Sequence, residues 1–389
     1  MPDIWPPLPI VISHCFKKTC DDSDNIIAAL EHNNRICELA ILRISSSQFE
    51  KVLAAMQKPF PELTYLELWL EDETAPVDPI LFLCGSAPAL QKLCLECFSF
   101  PRLPKLLLSA THLVELSLTR LPHSGYISPD AMATCLSVLT NLESLLIEFE
   151  SPRSRPDRRN RRPPPTRTLL PVLNNLWFKG VSDYLEDFLA RIDAPLLNEF
   201  WIRFFHQLIF DTSQFAQFIY RTPKFKAHDE LQAHVNFSDS HVRVRTETFG
   251  VTLDLEITCG QSDWQLSSLA QVCSSSFLML AVEYLYFEDA YLSPYWQDDI
   301  ESSQWLELLH PFITVKGLYV SRDFFPRIAP ALGELTGERV REVLPALQTV
   351  FLDRPLPSGP VQEAIGRFVA ARQLSGHPVA ISEWGREED

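Results

Sequence analysis

Leu63-Thr-Tyr-Leu-Glu-Leu-Trp-Leu70 is followed by Leu90-Gln-Lys-Leu-Cys-Leu-Glu96 and then by Leu113-Val-Glu-Leu-Ser-Leu-Thr119. All three read apolar-x-x-apolar-x-apolar, and on a strand the last two marked side chains share one face. Working outward, the same pattern recurs as Ile36-Leu39-Ile41 before this stretch and as Leu142-Leu145-Ile147, Leu173-Leu176-Phe178 and Leu197-Phe200-Ile202 after it. It resumes as Val282-Leu285-Phe287, Val315-Leu318-Val320 and Leu347-Val350-Leu352. Successive matches lie 23 to 33 residues apart within each series, a period long enough for one strand and one helix.

The segments between the strands carry helical spacing, as in Phe49, Val52, Leu53 and Met56 or Tyr184, Leu185, Phe188 and Leu189. Pro61, Pro88, Pro171, Pro195 and Pro345 stand just before strands, where proline stops a helix and biases its predecessor to extended backbone. A strand–helix unit cannot bury its apolar face alone, so neighbours must stack. The expected fold is α/β: one irregular leucine-rich-repeat solenoid over 1–389, a horseshoe with a curved parallel sheet on its concave side and helices on its convex side.

Two departures shape that expectation. The asparagine or cysteine that such repeats place three residues after the third apolar position is replaced by Ile44, Glu71, Phe98, Leu121, Glu150, Val181 and Phe205. In residues 221–260, Val242, Val244, Leu253, Leu255 and Ile257 alternate like hairpin strands around Gly250, an irregular β insertion that either interrupts the sheet or covers a face. Residues 361–372 read as a final helix and Val379 to Ser382 as a last strand, followed by a charged tail, Arg386 to Asp389.

The 389 residues include 34 Lys+Arg against 50 Asp+Glu, a formal charge of −16 that disfavours nucleic acid and anionic membrane as bulk partners. No apolar run approaches the roughly 20 residues of a membrane span. The start of the chain lacks a signal-peptide pattern, so a cytoplasmic or nuclear, reducing location is expected, with its nine cysteines as free thiols. Twelve glycines against 30 prolines leave little material for phosphate loops or flexible lids. No cofactor or metal set and no catalytic residue is nominated, and the chain is read as a non-enzyme that is monomeric outside a complex.

Trp5-Pro-Pro-Leu-Pro-Ile-Val-Ile12, Phe60-Pro-Glu-Leu-Thr-Tyr-Leu-Glu-Leu68 and Leu106-Leu-Leu-Ser-Ala-Thr-His-Leu113 together resemble the F-box-like leucine-rich-repeat proteins of mushroom-forming fungi, over essentially the whole chain. That resemblance implies a substrate-recognition subunit of an SCF-type ubiquitin ligase, in which an N-terminal F-box grips the Skp1 adaptor and the repeats select a protein target. Here a strand at Ile10 to Ile12 and a repeat strand at Ile36 occupy the space of the 40–50-residue F-box. Skp1 and cullin are therefore expected partners only if a divergent F-box exists. An F-box-less paralogue, a truncated gene model and a lost ligase role remain open, as does a stand-alone scaffold.

The residue between the second and third apolar positions points away from the core. That column runs Ala40, Glu67, Cys94, Ser117, Leu146, Trp177, Trp201, Tyr286, Tyr319 and Phe351. Trp177, Trp201, Tyr286, Tyr319 and Phe351 make it aromatic in its C-terminal half, and Lys179 and Arg203 flank it two residues on. These seven form the expected protein-binding surface on the concave face, because tryptophan and tyrosine dominate binding hot spots and the two cations suit an acidic peptide. The opposing reading is that aromatics simply suit strands.

Residues 152–167 carry seven arginines against one aspartate and are expected to form a disordered Arg/Pro-rich loop, a nuclear-localisation or anion-binding arm at most. Cys94 and Cys97 form Cys-x-x-Cys, but their parity points them to opposite faces and no second pair is in reach. His123-Ser124-Gly125-Tyr126 reads as a polar turn, and Asp298, Asp299 and Glu301 as a solvated helix start.

Overall fold

The computed structural model describes residues 8–16, 23–71, 82–99, 103–153, 166–226, 231–248, 250–259, 261–275, 281–289, 300–321, 324–337, 339–353 and 359–384. Most of the Arg/Pro run, Asp298, Asp299 and the charged tail lie outside these residues. The chain is mixed α/β, with strands that are mostly parallel and helices between them, and it divides into two compact units, Met1–Leu197 and Asn198–Asp389.

In the first unit, β1 (Ile10–Cys15), β2 (Ile36–Ile44), β3 (Tyr65–Leu70), β4 (Lys92–Glu96), β5 (Glu115–Leu121) and β6 (Ser144–Phe149) pair in parallel in chain order. A short strand, β7 (Thr168–Leu169), precedes β8 (Asn175–Gly180), which continues the sheet beyond β6, and β7 pairs separately with β9 (Ile192–Asp193). The repeat dictates the register. Leu39, Leu66, Leu93, Leu116, Leu145 and Leu176 stand opposite one another across six strands, as do Ile41, Leu68, Leu95, Leu118, Ile147 and Phe178, and all twelve are buried. Each such side chain contributes about 1.5–3 kcal/mol on burial. The helices Ser46–Ala55 and Pro129–Leu136 begin at Ser45 and Ser128, whose hydroxyls accept from the backbone of Gln48 and Ala131 and so satisfy free N–H groups. Phe49, Val52, Leu53 and Met56 are buried, as helical spacing requires.

The strand ends explain the missing asparagine. Arg43, Cys97 and Arg120, each two residues after the third apolar position, adopt left-handed backbone with φ of 57°, 61° and 49°. In β2 and β5 this inserts one extra residue, so that Ile44 pairs with Leu70 and Leu121 with Phe149. The buried series is therefore Ile44, Leu70, Phe98, Leu121 and Phe149, and the glutamates at 71 and 150 fall one residue beyond it. Apolar packing holds the turn in place of a polar ladder.

The second unit contains β10 (Glu199–Phe205), β11 (Gln232–Phe237), β12 (His241–Thr248), β13 (Val251–Thr258), β14 (Tyr284–Asp289), β15 (Gly317–Val320), β16 (Thr349–Leu352) and β17 (Ala380–Glu383). Their sheet order is β10-β13-β12-β11-β14-β15-β16-β17. Residues 221–260 thus interrupt the sheet instead of covering it. The two antiparallel pairings, β13 with β12 and β12 with β11, reverse direction twice, which lets β11 pair in parallel with β14. Gly250, at φ +80°, serves the turn into β13. The inward row Ile202, Leu255, Val244, Val235, Phe287, Val320 and Leu352 runs unbroken through the insertion. The final helix, Pro360–Leu374, and β17 occupy the expected places.

That helix is fastened by Arg372, which is 1% exposed. Its guanidinium donates to the carbonyls of Val340 (2.9 Å), Pro345 (3.3 Å) and Leu347 (2.9 Å), tying the helix to the turn that launches β16, and burial draws it below its ordinary pKa. Replacing Arg372 with alanine strands three carbonyls and is expected to cost about 3 kcal/mol or more in urea unfolding. Arg372→Lys should recover little, because an ammonium lacks the fork that reaches all three. Full stability of the lysine variant would contradict this role.

Candidate functional site

Outward-facing residues form rows across each sheet by the same register that buries the leucines. In the first unit, Ser13, Ala40, Glu67, Cys94, Ser117, Leu146 and Trp177 lie opposite one another. Trp177 closes the row at 42% exposure with Lys179 two residues on. In the second unit the corresponding row is Trp201, Asp254, Arg245, His234, Tyr286, Tyr319, Phe351 and Ser382.

Four neighbours in this second row form a continuous stack. Ring centroids are 4.5 Å apart for His234 and Tyr286, 4.2 Å for Tyr286 and Tyr319, and 4.2 Å for Tyr319 and Phe351, with planes within 14° of parallel. Strands about 4.8 Å apart give identical outward positions this spacing, so register alone brings the rings together. Gly317 makes room beside them, since a Cβ there would sit 2.8 Å from Tyr284 Cδ1. Trp384, just beyond β17, leans back across the stack, edge-on to Tyr286 at 5.7 Å and Tyr319 at 5.2 Å. Because the inner rings cover each other's faces, the stack offers edges and hydroxyls outward. Burial first, then Tyr319 and Glu288, holds the Tyr286 phenol above its ordinary pKa.

Of the seven predicted residues, the structure thus brings Tyr286, Tyr319 and Phe351 into direct contact. Trp201 sits apart on β10, where the guanidinium carbons of Arg243 and Arg245 lie 5.4 and 5.6 Å from its ring. Lys179 and Arg203 are already engaged, with Glu148 at 2.5 Å and Glu256 at 2.9 Å, so an acidic peptide would have to displace an internal carboxylate. The other cations on these faces behave alike. Lys92 pairs with Glu115, Arg43 with Glu71 and Arg120 with Glu96 in the first unit; Arg243 pairs with Asp254, Arg245 with Glu247 and Lys316 with Glu283 in the second. Asp254 is 3% exposed, and burial pushes its carboxyl above the usual range against the opposing pull of Arg243.

The remaining candidates resolve into structure. Cys97 is buried, whereas Cys94 lies on the outward row, its thiol pushed up to about 11 by burial and by Glu115 and Glu67. His123–Gly125 is a short 3-10 turn with Gly125 against the Phe98 backbone, and Glu301 immediately precedes the helix Ser302–Leu309. Among the described residues no group of histidine, cysteine and carboxylate side chains is arranged to hold a metal ion, and no helix is long and apolar enough to cross a membrane. Two participants went unread in the sequence. His234 enters through the inserted strands, outside the repeat, and Trp384 would have been found by extending the last strand's outward parity past Ser382. No protein-family model matches the chain, and comparison with curated proteins gives no match.

Tyr319 is flanked on both sides, so Tyr319→Ala should cost about 2 kcal/mol in urea unfolding, while Tyr319→Phe keeps the stack and stays within about 1 kcal/mol. The phenylalanine variant also removes the Tyr319 hydroxyl that disfavours the Tyr286 phenolate, so Tyr286 should ionise at lower pH by ultraviolet difference absorbance. The sign follows from the raised phenol pKa: folding keeps Tyr286 neutral, and its contribution to stability is lost as pH rises past about 10. An unchanged tyrosine titration would contradict the coupling.

Proposed function

We propose that this chain is a protein-binding solenoid of the leucine-rich-repeat type, without catalytic activity of its own, that docks another protein on its outward sheet faces. The observation that carries this reading is the aromatic row His234, Tyr286, Tyr319, Phe351 on the second unit's sheet, joined edge-on by Trp384. Half-exposed aromatic side chains fixed by one another lose little conformational freedom on binding, which is what an interaction hot spot needs. The recurrence of strand and helix with one buried register supports the repeat-protein reading.

Within that class, the resemblance to F-box-like proteins supports a substrate receptor of an SCF-type ubiquitin ligase, or a relic of one. The stand-alone scaffold is favoured by one observation: the described residues between 8 and 71 alternate β1, a helix at Ser23–Leu30, β2, a helix at Ser46–Ala55 and β3, the strand–helix order of the repeats. Trp201 and Arg203 belong to the second unit's proposed face with the stack, and Trp177 and Lys179 to the first unit's.

The test is quantitative capture by the full chain from its native lysate, compared with a Trp177→Ala/Trp201→Ala variant and a Tyr319→Ala/Phe351→Ala variant that retain folded circular dichroism. Proteins held by the wild type and lost from either variant are the expected result, with Skp1 and cullin among them if the receptor role holds. Equal capture by all three chains would place docking elsewhere.

A further inference from the structure

Backbone hydrogen bonds run one residue beyond the last residues paired between β14 and β15 and between β16 and β17. Ser321 N donates to Phe287 O at 3.1 Å and Trp384 N to Leu352 O at 2.6 Å. Glu288, Ser321, Asp353 and Trp384, which directly follow the paired residues Phe287, Val320, Leu352 and Glu383, therefore stand side by side at the C-terminal ends of four parallel strands. Glu288, Ser321 and Asp353 are two residues past Tyr286, Tyr319 and Phe351, on the outward parity of the stack.

Two groups in this row are buried without a partner. Ser321 is 8% exposed and its Oγ makes no hydrogen bond, and Asp353 Oδ1 is likewise buried and unbonded. An unpaired buried polar group costs about 1–3 kcal/mol, more when charged, so Ser321 Oγ and Asp353 Oδ1 each leave an acceptor unmatched. Among the described residues the face does not supply the missing donors, because Arg203, Arg243, Arg245 and Lys316 are each committed to a carboxylate elsewhere. Beside the orphaned oxygens stand the indole of Trp384 and the end of the aromatic stack.

Resting on the docking reading above, we propose that this row is the seat of an arginine side chain of the partner protein, its guanidinium pairing with Asp353, donating to Ser321 Oγ and lying against Trp384. A guanidinium presents several donors in one plane and keeps a flat face free for an aromatic ring, matching oxygens carried on adjacent strands next to an indole. The charge complementarity is direct: acceptors left over on the protein meet a cation on the partner.

The probe is N-acetyl-arginine methylamide, titrated into the full chain while the Trp384 indole N–H is followed by NMR, with Trp384→Phe giving the assignment. Parallel titrations use the uncharged citrulline analogue and the lysine analogue. The expected result is a saturable shift with the arginine probe, none with citrulline, and affinity weakened about tenfold by Asp353→Asn and measurably by Ser321→Ala. Neither substitution removes an internal hydrogen bond, so both variants should fold and melt no lower than the wild type. Equal responses to citrulline, equal binding of the lysine probe, or indifference to both variants would each overturn the arginine seat. Partner capture by the aromatic row is scored separately, so a negative titration with capture that the aromatic variants lose removes only the seat, and equal capture by all three chains with an intact titration removes only the docking surface.

Discussion

Within each unit, every long strand turns two apolar side chains inward at the same height as its neighbours, and the rest of the structure follows from that register. A slip of one residue would send leucine outward and glutamate or tyrosine inward along the whole strand. The inward rows bury almost completely, and their tolerance is low enough that the strand ends accept left-handed Arg43, Cys97 and Arg120 to keep Ile44, Phe98 and Leu121 inside. Such backbone costs about 1–2 kcal/mol per residue, comparable with what burying one large apolar side chain returns.

The same register builds the outward faces. Aromatic rings at equivalent positions of β11, β14, β15 and β16 must meet at about the strand spacing, and charged residues at equivalent positions must meet as pairs. The faces are therefore already organised: rings stacked, cations paired with carboxylates, and two oxygens at the strand ends left unmatched. Such pre-organisation reduces the ordering cost that usually consumes interface energy. It also redirects the electrostatic expectation, since Lys179 and Arg203 are bound to Glu148 and Glu256, while Ser321 Oγ and Asp353 Oδ1 at the strand ends are left unbonded.

Much of this was legible in the residues. The strand positions, their inward and outward parity, the hairpin around Gly250 and the terminal helix all follow from spacing, because periods of two and of about 3.6 are local properties of the chain. What escaped was set by pairing between strands distant in sequence. The direction of β11, and with it the place of His234 beside Tyr286, depends on two reversals that no periodicity records. The carboxylate partners of Lys179 and Arg203 lie 31 and 53 residues away, and the buried anchoring of Arg372 depends on where three carbonyls end their turn.

The most direct test of the register is a paired substitution on one strand, read by thermal unfolding of the full chain. Leu116→Asp places an unpaired carboxylate in the shared core and should cost several kcal/mol, abolishing cooperative melting of the first unit, whereas Ser117→Asp, one residue along and facing outward, should shift stability by no more than about 0.5 kcal/mol. Similar melting curves for the two variants would contradict the register and, with it, both faces built upon it.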